Sequence, residues 1–124
     1  MFLDMLMVIV GGGIGAALRY LTTMFLYGED SPTFPYGTLV VNLIGCLCIG
    51  ILAGYFQKRP DLPIYIKLFA ITGVLGGLTT FSTFSLETFN LLFLHPLYAI
   101  ANITLSIVAG LSCVALGLQF IHVL

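Results

Sequence analysis

Four long apolar runs, separated by short polar punctuation, organise this chain. The first extends from about Asp4 to Leu26 and the second from about Tyr36 to Phe56. The third extends from about Ile64 to Leu94 and the fourth from about Leu97 to Val123. Each is as long as the ~20 residues an α-helix needs to cross a bilayer, or longer. Between them stand Gly28-Glu29-Asp30-Ser31-Pro32 with Pro35, then Gln57-Lys58-Arg59-Pro60-Asp61-Leu62-Pro63, then a tight turn at His95-Pro96. Such clusters break helices and favour water. The expected fold is an all-α membrane protein, a single transmembrane domain over residues 1–124 with four spanning helices.

The third run departs from the plain apolar pattern. Residues 72–88 carry glycines, seven hydroxyl side chains and the carboxylate of Glu87 inside a membrane-crossing segment. Polar groups at bilayer depth are costly unless they are buried in protein or line a water-filled path, so the stretch reads as a functional site. The run is also too long. A straight helix of about 31 residues would reach roughly 46 Å, against a hydrocarbon core of about 30 Å. Gly76 and Gly77, followed by Thr79 and Thr80, are poor helix formers. We therefore expect the third helix to be broken near its middle, over Gly76–Thr80, the two glycines and the hydroxyl run that follows. Carbonyls freed at such a break are potential cation ligands.

Composition supports the membrane reading. The chain of 124 residues is 60% hydrophobic and 7% charged, whereas soluble domains carry about a quarter charged residues. Lipid is thus its solvent. With a net charge of −1 and no basic cluster, nothing points to nucleic acid. Met1-Phe2-Leu3-Asp4 lacks the positive region of a signal peptide, so the first helix is expected to be retained. Cys46, Cys48 and Cys113 read as small buried apolar residues. Lys58, Arg59 and Lys67 mildly favour termini in the cytoplasm, and the bias is small enough to leave both orientations open. The pairs Gly11/Gly15, Gly50/Gly54 and Gly73/Gly77 place small residues on helix faces. They serve either packing within one subunit or a subunit interface. Four short spans leave little room for both a pore and its packing shell, which favours a homo-oligomer.

The polar residues share a depth. Asn42 and Asn102 each lie about 9 Å from the edge that bears the 27–35 loop, with Ser106 one turn deeper than Asn102. Arg19 and Glu87 lie about seven residues in, and Thr83 and Ser82 lie deeper. Arg19 and Glu87 either form a buried ion pair or serve separately, Arg19 at a pore mouth and Glu87 near a permeation or gating path. Phe81 and Phe84 share a helix face, either for packing or to present ring edges, which carry partial positive charge.

The motifs Gly11-Gly12-Gly13-Ile14-Gly15-Ala16-Ala17-Leu18-Arg19-Tyr20, Gly37-Thr38-Leu39-Val40-Val41-Asn42-Leu43-Ile44-Gly45 and Gly73-Val74-Leu75-Gly76-Gly77-Leu78-Thr79-Thr80-Phe81-Ser82-Thr83-Phe84-Ser85 resemble the Fluc (CrcB) family of fluoride channels. The similarity runs along essentially the whole chain, and the third motif is the most specific. The resemblance implies an antiparallel, dual-topology homodimer in the bacterial inner membrane. It implies passive fluoride export through two pores per dimer and a structural sodium ion at the centre of the interface. The sodium ligands would be backbone carbonyls at the positions of Gly76 and Thr79. Fluoride would meet Phe81, Phe84 and Asn42, with Arg19 in the vestibule and Thr83, Asn102 and Ser106 on a polar track. Gly110 stands one turn after Ser106, where some relatives have a hydroxyl, so the track is shortened or water-filled there.

Competing classes fit less well. A small multidrug exporter needs a membrane-embedded carboxylate in its first span, and here only Asp4, at its very start, is available. An enzyme needs a nucleophile with a base, or paired acids. His95 and His122 lie near span ends, and Asp4, Asp30 and Asp61 lie at the surfaces. An accessory subunit would explain the packing glycines but not the hydroxyl-rich stretch.

Overall fold

The computed structural model describes residues 1–28 and 33–124. Residues 29–32, the acidic part of the turn expected after the first span, lie outside the described residues. All regular structure in the described residues is helical. The first helix is Phe2–Tyr27, the second Tyr36–Lys58 and the fourth Pro96–Val123. With the third crossing, Ile64–Leu94, they make four helical segments long and apolar enough to span a membrane.

The third crossing is bent. It is α-helical over Ile64–Lys67, widens to π-type turns over Leu68–Leu75 and tightens again over Gly76–Leu78. Thr79 (φ −84°, ψ 156°) and Thr80 (φ −149°, ψ 122°) are extended, and the helix resumes over Phe81–Leu94. The departure from helix therefore falls at the threonines. Gly76 and Gly77, the first part of the stretch where the sequence reading puts the break, remain helical. The reason is packing: a methyl group on Gly77 would collide with the Gly12 carbonyl of the first helix. Gly77 is there to let two helices touch.

Two seams of this kind hold the bundle together. The first helix lies against residues 68–78, where a Cβ on Gly11 would stand 2.6 Å from the Phe69 carbonyl oxygen. The second helix lies against the fourth, where a Cβ on Gly117 would stand 2.5 Å from the Leu47 oxygen. At both seams main chain meets main chain, the close approach that dispersion packing requires where lipid removes the hydrophobic driving force. The spaced glycines thus serve packing within the chain.

Burial is inverted relative to a water-soluble domain. Asn102 is 1% exposed, whereas Phe93 is 74% exposed, as expected when the solvent is hydrocarbon. The bundle ends are tied by polar contacts. Lys58 Nζ donates to the Ile121 carbonyl at 2.5 Å, satisfying a carbonyl in the last turn of the fourth helix. At the other end, the Gly37 N–H donates to the Tyr27 hydroxyl. In the loop after the second helix, Arg59 Nε and Nη2 each donate to Asp61 at 3.0 Å. These hydrogen bonds hold the Asp61 carboxyl below its ordinary value and push Arg59 up.

Candidate functional site

The extended pair Thr79–Thr80 interrupts the helical ladder at membrane depth, so its backbone groups need new partners. Asn42, one helix away, supplies them. Its Oδ1 accepts from the Thr80 N–H at 2.8 Å, and its Nδ2 donates to the Thr80 carbonyl at 3.1 Å. One side-chain amide thereby replaces a β-type partner. The Thr80 hydroxyl then caps the following helix by accepting from the Thr83 N–H at 3.2 Å, as N-cap threonines do. Thr79 Oγ1 donates back to the Leu75 carbonyl at 2.9 Å, and its methyl packs into the space left by Gly45.

The break parts the carbonyls of residues 76–79 from their usual donors. In a continuous helix the Gly76 carbonyl would accept from the Thr80 N–H, and the Thr79 carbonyl from the Thr83 N–H. Here both donors point elsewhere, to Asn42 Oδ1 and to the Thr80 hydroxyl. The neighbouring Gly77 and Thr80 carbonyls are occupied, by Arg19 Nε at 3.1 Å and by Asn42. Gly76 and Thr79, with Leu78 between them in sequence, therefore carry oxygens that lose the donor a continuous helix would supply.

Beside the bend runs an open groove of ≈ 420 Å³. Asn42, Gly45, Cys46 and Ile49 line it from one face of the second helix, at spacings that share a helix side. Gly76, Thr79 and Thr80 contribute from the bend, with Phe81 and Phe84 beyond it and Ser106 from the fourth helix. The two phenylalanine rings lie 5.8 Å apart at 40°, and Phe81 is 79% exposed. The Ser106 hydroxyl oxygen is fully buried and has no hydrogen-bond partner, leaving it able to serve an occupant of the groove.

The structure thus brings Asn42, Gly76, Thr79, Phe81, Phe84 and Ser106 to one groove. Four of the other residues singled out in the sequence lie elsewhere. Asn102 Nδ2 donates to the Thr88 hydroxyl at 2.9 Å, away from the groove lining. Thr83 enters through its backbone N–H. Arg19 reaches the Gly77 carbonyl and does not meet Glu87, whose Oε1 accepts from the Thr38 hydroxyl at 2.8 Å. The ion pair weighed in the sequence is therefore not formed in the chain. Glu87 instead lines a second, smaller cavity with Tyr27, Thr33 and Asn90. Sequence reasoning missed Thr38 and Cys46. Each is one helical turn from Asn42 (i−4 and i+4), a signal that was available.

Comparison with known proteins identifies a family for the chain. Residues 6–118 match the family model described as CrcB-like protein, Camphor Resistance (CrcB). A relative from Flavobacterium psychrophilum, named fluoride-specific ion channel FluC, is 46% identical over 110 residues, 88% of this chain and 89% of its own length. One of the same name from Agrobacterium fabrum is 40% identical over 120 residues, 93% of this chain and 96% of its own. Another, from a Methylobacterium strain, is 43% identical over 121 residues, 97% of each chain.

Proposed function

The chain belongs to the CrcB family, and on that premise we propose that it is a fluoride channel, not an enzyme, that releases fluoride passively across the bacterial inner membrane. The observation that carries the reading is the groove beside the Asn42-clamped bend. It offers weak contacts of the kinds a small anion accepts: phenyl ring edges, an unpartnered hydroxyl and an amide. A path of weak sequential contacts suits conduction, because an ion must leave each contact as readily as it enters.

One chain leaves the groove open and Phe81 largely uncovered. An antiparallel second copy would close it, making two equivalent paths per dimer. The free Gly76 and Thr79 carbonyls fit a monovalent cation. They are neutral oxygens deprived of donors, and two copies would bring four together. Sodium held there would supply a fixed positive charge that offsets the cost of an anion in low dielectric. Asn42 keeps the bend open, and Phe81 and Phe84 present their ring edges. Ser106 offers its hydroxyl, and Arg19 and Glu87 shape the polar approaches, with Thr83 and Asn102 holding the helices around them.

The test is fluoride efflux from proteoliposomes without ATP or a proton gradient. Phe81→Ile and Phe84→Ile should abolish release while the protein stays folded and dimeric. Undiminished release in both variants would defeat the assigned path.

A further inference from the structure

The groove changes character along its length, and Cys46 sits at the change. On the second helix Asn42 is amide-bearing, Cys46 follows one turn or about 6 Å later, and the next lining residue, Ile49, is aliphatic. Across from them, Ile71 and Leu75 line the same end. Cys46 carries the last side-chain heteroatom on that helix before the lining turns aliphatic. Its sulfur rests 3.4 Å from where a methyl on Gly110 would stand. Gly110 is one turn beyond Ser106, whose buried hydroxyl lacks a partner. Gly110 has no side chain of its own, so the Cys46 sulfur lies beside its bare backbone.

The geometry points to Cys46 as a path-lining residue, its thiol the weak donor that follows Ser106, and to a path that thiol-seeking cations can block. This inference rests on the channel reading above. A thiol is a weak S–H donor, which suits an ion that must not be held. The same sulfur is a ligand for soft cations. It can also react as thiolate with a water-soluble thiosulfonate, by attack on the reagent sulfur that expels sulfinate and leaves a mixed disulfide. Either product would narrow the groove beside Gly110. Cys48 faces a wholly apolar cleft formed with Phe69 and Val74, and Cys113 does not line the groove, so neither should share this access.

The test uses the full chain in liposomes, with silver ion and a small cationic methanethiosulfonate as probes. Efflux and the site of modification by mass spectrometry are read separately. Cys46 should be modified first, and efflux should stop. The block should persist in the Cys48→Ser/Cys113→Ser double variant. It should vanish in Cys46→Ser, measured against that variant's own untreated rate. Cys46→Val, which keeps the bulk but removes the donor, should slow efflux about 2- to 10-fold, and Cys46→Ser should be the faster of the two. Faster modification of Cys48 or Cys113, or full efflux after Cys46 is modified, would overturn the assignment. If untreated protein releases no fluoride, the channel reading fails. The order of modification then still decides whether Cys46 faces a wet groove.

Discussion

The glycine seams and the threonine bend solve opposite problems within a few residues of each other. At the seams, side chains are removed so that intact helices can touch, and a methyl on Gly15 would collide with the Val74 carbonyl. At the bend, the helix is given up, and side chains from elsewhere replace its lost hydrogen bonds. Gly77 belongs to the seam and Thr79 to the bend, only two residues on. The seams make the molecule rigid enough to hold an opened backbone, and the bend opens beside a largely apolar groove that carries a few polar groups.

Substitutions should separate the two regions, the largest effects coming from the seams. Gly15→Ile places its side chain against the Val74 and Leu78 backbone, which cannot move aside. We expect loss of nearly all folded protein, read as the monodisperse fraction after detergent extraction. Gly15→Ala puts its methyl on the same Val74 carbonyl, so it too should lose most folded protein, at a cost above the about 1–3 kcal/mol usual for overpacking. The bend comes next. Asn42→Leu keeps the branched shape, in a somewhat larger side chain, but strips partners from the Thr80 N–H and carbonyl. At about 1–3 kcal/mol for each unsatisfied group, the loss is about 2–6 kcal/mol. A chemical-denaturation series checks this, and an unchanged midpoint would mean the bend holds itself. Thr38→Val, which removes the hydroxyl that donates to Glu87, should cost less. A side-chain hydrogen bond contributes about 0.5–1.5 kcal/mol net, and the glycine seams should stay intact.

The smallest effect lies outside both regions. The depressed Asp61 carboxyl stabilises the fold only while it is ionised. That contribution is present at neutral pH and is lost as pH falls below the ordinary aspartate value of 3.8. Because the pair is exposed, an acid titration of Asp61→Asn against the parent should show nearly superimposable stability. A large difference would mean the loop supports one of the seams.

The four crossings were legible in the sequence because apolar runs of bilayer length admit little else. That the third crossing could not run straight was legible too, from its length and its hydroxyls. The position of the bend was legible in part: the expected stretch Gly76–Thr80 contains it, but the glycines in that stretch stay helical. Gly76-Gly77 has low helix propensity, yet Gly77 stays helical because the first helix needs the space. Thr79 and Thr80 can leave the helix because a hydroxyl cap and the Asn42 amide await them. Partnerships across helices were hidden for a related reason. Depth follows from counting residues, but rotation about each helix does not. Asn102 shared a depth with Asn42 and yet turns toward Thr88. Arg19 and Glu87 matched in depth and yet found different partners.

The account is tested most directly by fluoride efflux from vesicles holding equal amounts of folded parent protein and Asn42→Leu. We expect rapid passive release from the parent and release no faster than empty vesicles from the variant. Equal release from both would contradict the role given to the clamped bend, and no release from the parent would contradict the function itself.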